Sequence, residues 1–152
     1  MKILIATIAA TVMGAAAAFA AGAVAPGDVK YNDGEVAKSL TGVAGDPVEG
    51  RIVFANRKLG NCLACHVNSQ MPEESFQGEV GPPLDGVADR LTEAQARGIV
   101  ANSKMTFEGT IMPAFYIDSG YNRPLPDFAG ASILTGQQVE DVVAYLMTLK
   151  EE

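Results

Sequence analysis

Residues 60–70 read GNCLACHVNSQ, and they hold Cys62, Cys65 and His66, which are both cysteines and the single histidine of this 152-residue chain. A C-x-x-C-H run is the attachment sequence of a c-type haem. The spacing has a chemical reason. Two thiols three positions apart form thioethers to the two vinyl-derived positions of one porphyrin, and the adjacent imidazole falls beneath the iron as proximal ligand. Other uses of the motif fit worse. A thioredoxin-type dithiol wants its CxxC between a strand and a helix, whereas helix-like sequence precedes this one. A structural zinc site needs about four ligands, and no further Cys or His exists. A Cys62–Cys65 disulfide would close a very short loop and stabilise little through chain entropy. One motif means one haem c, covalently attached.

With His66 committed, the sixth ligand has to be another residue type, and methionine is the best remaining choice because it raises the potential of the iron. Beyond the N-terminal segment the chain offers Met71, Met105, Met112 and Met147. Met147 falls within a C-terminal helical pattern, where filling the core is its ordinary role. Met71 lies in a polar stretch soon after the motif. Met105 precedes TFEGT, a turn-like stretch. Met112 sits in GTIMPAFY, where Pro113 stiffens the backbone directly after it and apolar neighbours can close a distal pocket. Met112 is the favoured distal ligand, with Met105 next.

The N-terminus bounds the compartment. Residues 1–23, MKILIATIAATVMGAAAAFAAGA, carry one positive charge at Lys2, then a long uncharged alanine-rich run ending in small residues. That is the pattern of a cleaved signal peptide over 1–20, with Ala18 and Ala20 at the processing site and cleavage after Ala23 as the rival. The run is long enough for a retained anchor, but alanine and threonine dominate it rather than leucine. The expectation is export to a bacterial periplasm, leaving a mature chain without a membrane anchor. The remainder, about 130 residues, is one ordinary domain. The formal net charge of −7 argues against nucleic acid and suits docking to a basic protein face.

The elements follow from local signals. Residues 21–45 read as an N-terminal extension in which VKYNDGEVAKSL could form one short helix. The cytochrome domain then runs over 46–152. Asp46 and Pro47 open a helix through PVEGRIVFANRKLG that closes at Gly60. Val48, Ile52, Ala55 and Leu59 are candidates for its inner face, with Gly50 and Phe54 on a neighbouring stripe. GPPLDGVADR is a fixed loop whose Pro82 carbonyl can orient His66 Nδ1. LTEAQARGIV is a short helix opened by Thr92 or Asp89. IDSGYNRPLPDFAG, with Tyr121, Arg123 and Phe128, is a long loop that can shield the haem edge or contact a partner. TGQQVEDVVAYLMTLK is an amphipathic helix facing inward through Val139, Val142, Val143, Leu146 and Leu149. Gly50 would let Phe54 or Tyr145 cross closely between the two terminal helices. No phosphate loop, nucleophile with its own base or general-acid pair is evident, so electron transfer is expected rather than self-contained catalysis.

A helix with Gly50 and Phe54, then CxxCH, GPPL, MPAF and a terminal DVVAYLMTLK helix resembles the class I cytochromes c. This implies an all-α fold around one haem, with an N-terminal extension and a long loop after the distal methionine. More narrowly, GNCLACH, IMPAFY and ILTGQQVEDVVAYLMTLK resemble the SoxX family, mono-haem subunits of the periplasmic SoxAX complex of sulfur oxidation. The resemblance places the haem thioethers on Cys62 and Cys65, the proximal ligand on His66 and the distal ligand on Met112. It implies a stable heterodimer with a SoxA-like haem subunit, a carrier protein bearing a substrate cysteine, and a small soluble cytochrome c as electron acceptor. The chain would then be the electron-transfer part of an L-cysteine S-thiosulfotransferase, with the sulfur-reactive cysteine on the partner. A free-standing shuttle, a subunit of another oxidoreductase and a peroxidase-like enzyme with an open iron are the alternatives.

Overall fold

The computed structural model describes residues 22–151; the expected signal peptide lies outside them. Among the described residues the architecture is all-α, with one isolated antiparallel bridge between Asn32 and Glu35. The helices are α1 (Pro47–Ala55), α2 (Val87–Arg90), α3 (Glu93–Asn102) and α4 (Gly136–Leu146), joined by long loops and short 3-10 turns. No helix among these residues is long and apolar enough to cross a membrane.

The frame is the crossing of α1 and α4. Asp46 caps α1 by accepting from the Val48 and Glu49 amides, with Pro47 at the first helical position, as the sequence signals require. Thr135 and Gln138 form a reciprocal capping box at the start of α4. The helices meet at Gly50, where a Cβ would lie 1.9 Å from the Asp141 carbonyl oxygen and 2.9 Å from Tyr145 Cβ. One turn on, the Phe54 and Tyr145 rings meet edge to face with centroids 5.3 Å apart. Gly50 therefore performs the role its position suggests.

Three expectations are corrected. The inner stripe of α1 is Gly50, Val53 and Phe54, whereas Val48 and Ile52 are 67% and 55% exposed. Both stripes are apolar, and the one that contains the glycine wins because only it admits α4. Helix α1 also stops at Ala55 instead of Gly60. The Asn56 side chain accepts from the Lys58 amide, a local bond that turns the chain out of the helix. Residues 29–40 form no helix. Asp33 and Gly34 both take positive φ, 48° and 82°, and the Asn32–Glu35 pair closes a tight turn around them. In addition, the GPPL loop ends in the single turn of α2, and α4 ends at Leu146 with Leu149 still buried beyond it.

The N-terminal arm is integrated into the core through Val29, Val36 and Leu40. A buried ion pair fixes it. Arg97 Nε lies 2.9 Å from Glu140 Oε1, with both side chains almost wholly buried. Arg97 Nη1 donates to the Val36 carbonyl at 3.0 Å, and Glu140 accepts from the Leu40 amide at 2.7 Å. Desolvating two charges is costly, but here the Val36 carbonyl and Leu40 amide of the arm, together with the Glu93 carboxylate, take up further donors and acceptors.

Gly50→Ala should destabilise the holoprotein by at least about 2 kcal/mol, because the new methyl meets backbone rather than a movable side chain; denaturant unfolding checks this. Burial also pushes the Tyr31 phenol from 10.0 up to about 12. A phenol raised on folding contributes fully below its unfolded pKa and loses that contribution as pH climbs through the folded value. Tyr31→Phe should flatten the loss of stability between pH 10 and about 12, read from denaturant midpoints across that range.

Candidate haem site

The proximal side is assembled within one short stretch. Asn61 takes a left-handed conformation with φ of 48° and starts a 3-10 turn over Cys62–Ala64, and Leu63 pins that turn into the core. The Cys65 and His66 amides both donate to the Cys62 carbonyl, at 3.1 and 3.0 Å. Both cysteines are unpaired and partly buried. Burial pushes the Cys62 thiol up to about 12, the opposite of what a redox-active dithiol needs for its attacking thiolate.

The GPP loop folds back over this turn. Gly78 donates to the Leu63 carbonyl at 2.8 Å, Gly81 to Cys65 at 2.7 Å and Leu84 to Val67 at 2.9 Å. His66 Nδ1 lies 2.7 Å from the Pro82 carbonyl oxygen. A carbonyl can only accept, so Nδ1 carries the proton and Nε2 is left with a free lone pair. The orientation is reinforced sterically: a Cβ on Gly81 would lie 2.3 Å from His66 Cε1. Gly81 therefore lets the backbone lie flat against the imidazole, a role the sequence reading did not assign. Its signal was the glycine immediately before the proline pair in the loop after the motif.

The segment carrying Met112 is held by α3. Tyr116 donates from its amide to the Ala101 carbonyl at 2.9 Å, Phe115 to Val100 at 3.4 Å, and Leu134 returns a bond to the Phe115 carbonyl at 2.9 Å. Ala114, Phe115 and Tyr116 are buried, while Met112 is partly buried at the margin of the core. The other methionines fall elsewhere. Met71 is a core residue with no exposed surface, and Met105 is 50% exposed. Met147 caps the C-terminus of α4 and lines a cavity with Ser39, Arg97 and Glu140.

These residues fit a haem. Two unpaired thiols, an imidazole with Nε2 free and a supported methionine form a donor set suited to covalent attachment and iron ligation. Among the exposed large apolar side chains, Phe76 and Val80 lie ahead of Gly81, and Met105, Phe107 and Ile111 lie ahead of Met112. Such side chains suit the apolar lining that a porphyrin face needs. No group of three or more His, Cys, Asp or Glu residues that could hold a metal ion occurs among the described residues.

Residues 47–150 match the family model for cytochrome c. The chain belongs to the cytochrome c family. The cytochrome is also similar to a chain in the crystal structure of SoxXA from P. pantotrophus, with 53% identity and a TM-score of 0.82. That match covers 86% of this chain and 100% of the other. None of the curated proteins matches the sequence. The class I fold and the resemblance to the SoxX family are thus borne out, and covalently bound haem c is the cofactor.

Gly81→Ala should force His66 off its aim and sharply lower the yield of haem-loaded cytochrome. The ratio of haem absorbance to protein in the purified chain measures this.

Proposed function

We propose that this cytochrome is the electron-relaying haem subunit of a SoxAX-type complex, working in the periplasm after removal of residues 1–20. The observation that carries the proposal is the 53% identity to a SoxXA chain over the whole of that chain. Residues 46–152 are assigned as the cytochrome domain and 21–45 as its extension. Cys62 and Cys65 are assigned the thioethers, His66 the proximal iron bond and Met112 the distal one. The haem, when bound, supplies a one-electron carrier.

The chain's own residues set the conditions for that chemistry. Pro82 and Gly81 hold the imidazole with Nε2 presented. Helix α3 holds the Met112 segment through the Ala101 and Val100 carbonyls. Held by His66 and Met112, the iron would have no open position for substrate and would favour its reduced state, which suits a relay rather than a peroxidase-like centre. With both cysteines assigned to attachment, the chain has no thiol left for sulfur chemistry.

That chemistry belongs to the SoxA-like partner. A carrier protein's cysteine thiol and thiosulfate join through a new sulfur–sulfur bond, giving the S-thiosulfonate, one proton and two electrons. Those electrons leave one at a time toward a small soluble cytochrome c.

The test is purification of the native holoprotein from the periplasm, followed by intact masses of everything retained through a salt wash. One covalent haem on this chain and a second, haem-bearing subunit in equal amount are expected. A lone mono-haem protein would overturn the complex and leave a free-standing shuttle.

A further inference from the structure

The carbonyl oxygen of Met112 is gripped from the end of α3. Ser103 follows α3 directly, has no exposed surface, and donates from Oγ to the Met112 carbonyl at 2.8 Å, with the Pro113 carbonyl at 3.4 Å. Its neighbour Lys104 donates from Nζ to the same Met112 carbonyl at 2.5 Å and to the Thr110 carbonyl at 2.5 Å. On the amide side, Met112 N–H donates to Thr110 Oγ1 at 3.2 Å. Both ends of the residue are therefore fixed by side chains, although Met112 lies outside every helix.

The convergence is costly unless the position matters. A lysine loses much rotamer freedom when its ammonium is held on two carbonyls. Those contacts are charge-assisted, and so stronger than neutral hydrogen bonds. A turn needing only to be closed would be closed by Ser103 alone.

We propose that Ser103 and Lys104 are positioning residues for the distal ligand: by clamping the Met112 carbonyl they fix where the thioether sulfur can reach. The inference rests on the assignment of Met112 as sixth ligand. A carbonyl clamp restricts the backbone from which the side chain departs, and a thioether is a weak ligand that a competing base displaces once its backbone can swing. Losing one hydrogen bond of ordinary strength shifts such a balance by a few-fold, and losing both by about tenfold or more.

The experiment compares Ser103→Ala, Lys104→Met, the double variant, Lys104→Arg and Met112→Ala as full-chain ferric holoproteins. Three readings are taken on each: the near-infrared band of methionine–ferric ligation, the affinity for added imidazole, and the melting temperature. Each single clamp variant should weaken the band and bind imidazole a few-fold more tightly. The double variant should bind it about tenfold more tightly, and Lys104→Arg should restore most of the parent behaviour. Lys104 is exposed, so its replacement leaves a folded protein to measure even where Ser103→Ala does not. A lower melting temperature with the parent's band and imidazole affinity would overturn the clamp and leave only a structural turn. Met112→Ala separates the two failures. If it abolishes the band while the clamp variants do not change it, the clamp is wrong and the ligand right. If it leaves the band intact, the ligand assignment falls and takes the clamp with it.

Discussion

The close crossing of α1 and α4 at Gly50 is the contact on which the rest depends. With backbone meeting backbone there, the two terminal helices form a rigid corner, and the turn bearing Cys62, Cys65 and His66 leaves the end of α1 already oriented. Leu63 and Phe54 are buried on the same core, so the covalent attachment point is fixed by packing before any ligand bond is considered. Tyr145 joins this corner to the next loop by accepting from Asn68 Nδ2 at 2.8 Å. The proximal site is thus an outgrowth of a helix crossing.

Much of this was legible in the sequence because the signals were local. Asp46–Pro47, the opening of α3 at Thr92, the apolar face of α4 and the turn of Pro82 toward His66 all depend on residues a few positions apart or on a rigid dipeptide. The errors share the opposite character. Val48 and Ile52 recur at helical spacing just as Gly50 and Phe54 do, and only the partner helix decides between the stripes. The stretch from Val29 to Leu40 has helical-looking composition, but the turn at Asp33–Gly34 and the bonds from Arg97 and Glu140, distant in sequence, place it as irregular chain. Met71 reads as part of a polar loop, yet it is fully buried while Phe76 and Val80 of the same loop stay exposed.

The ion pair of Arg97 and Glu140 shows how a helical protein can build irregular backbone into its core. A loop inside a core leaves amides and carbonyls without water. Here the charged groups meet that need, each using one valence for its partner and another for the arm. Glu93, which also contacts Arg97, adds a second acidic partner at the exposed edge. The pair is better understood as hydrogen-bonding capacity supplied to the arm than as an attraction between charges.

The two sides of the site also differ in how far apart along the chain their makers lie. The proximal side is built almost wholly from residues 60–84. The segment after Met112 is pinned at Tyr116, whose hydroxyl donates to the Val24 carbonyl at 2.6 Å across 92 positions. Val24 in turn donates to the Leu40 carbonyl at 2.7 Å, and Leu40 depends on Glu140, 100 positions away. Closing such long loops is entropically slow, whereas a short hairpin of chain closes fast. The hydrogen bonds inside the attachment turn close locally, but its placement waits for α4, and the distal segment settles only when the N-terminal arm has joined α4 as well.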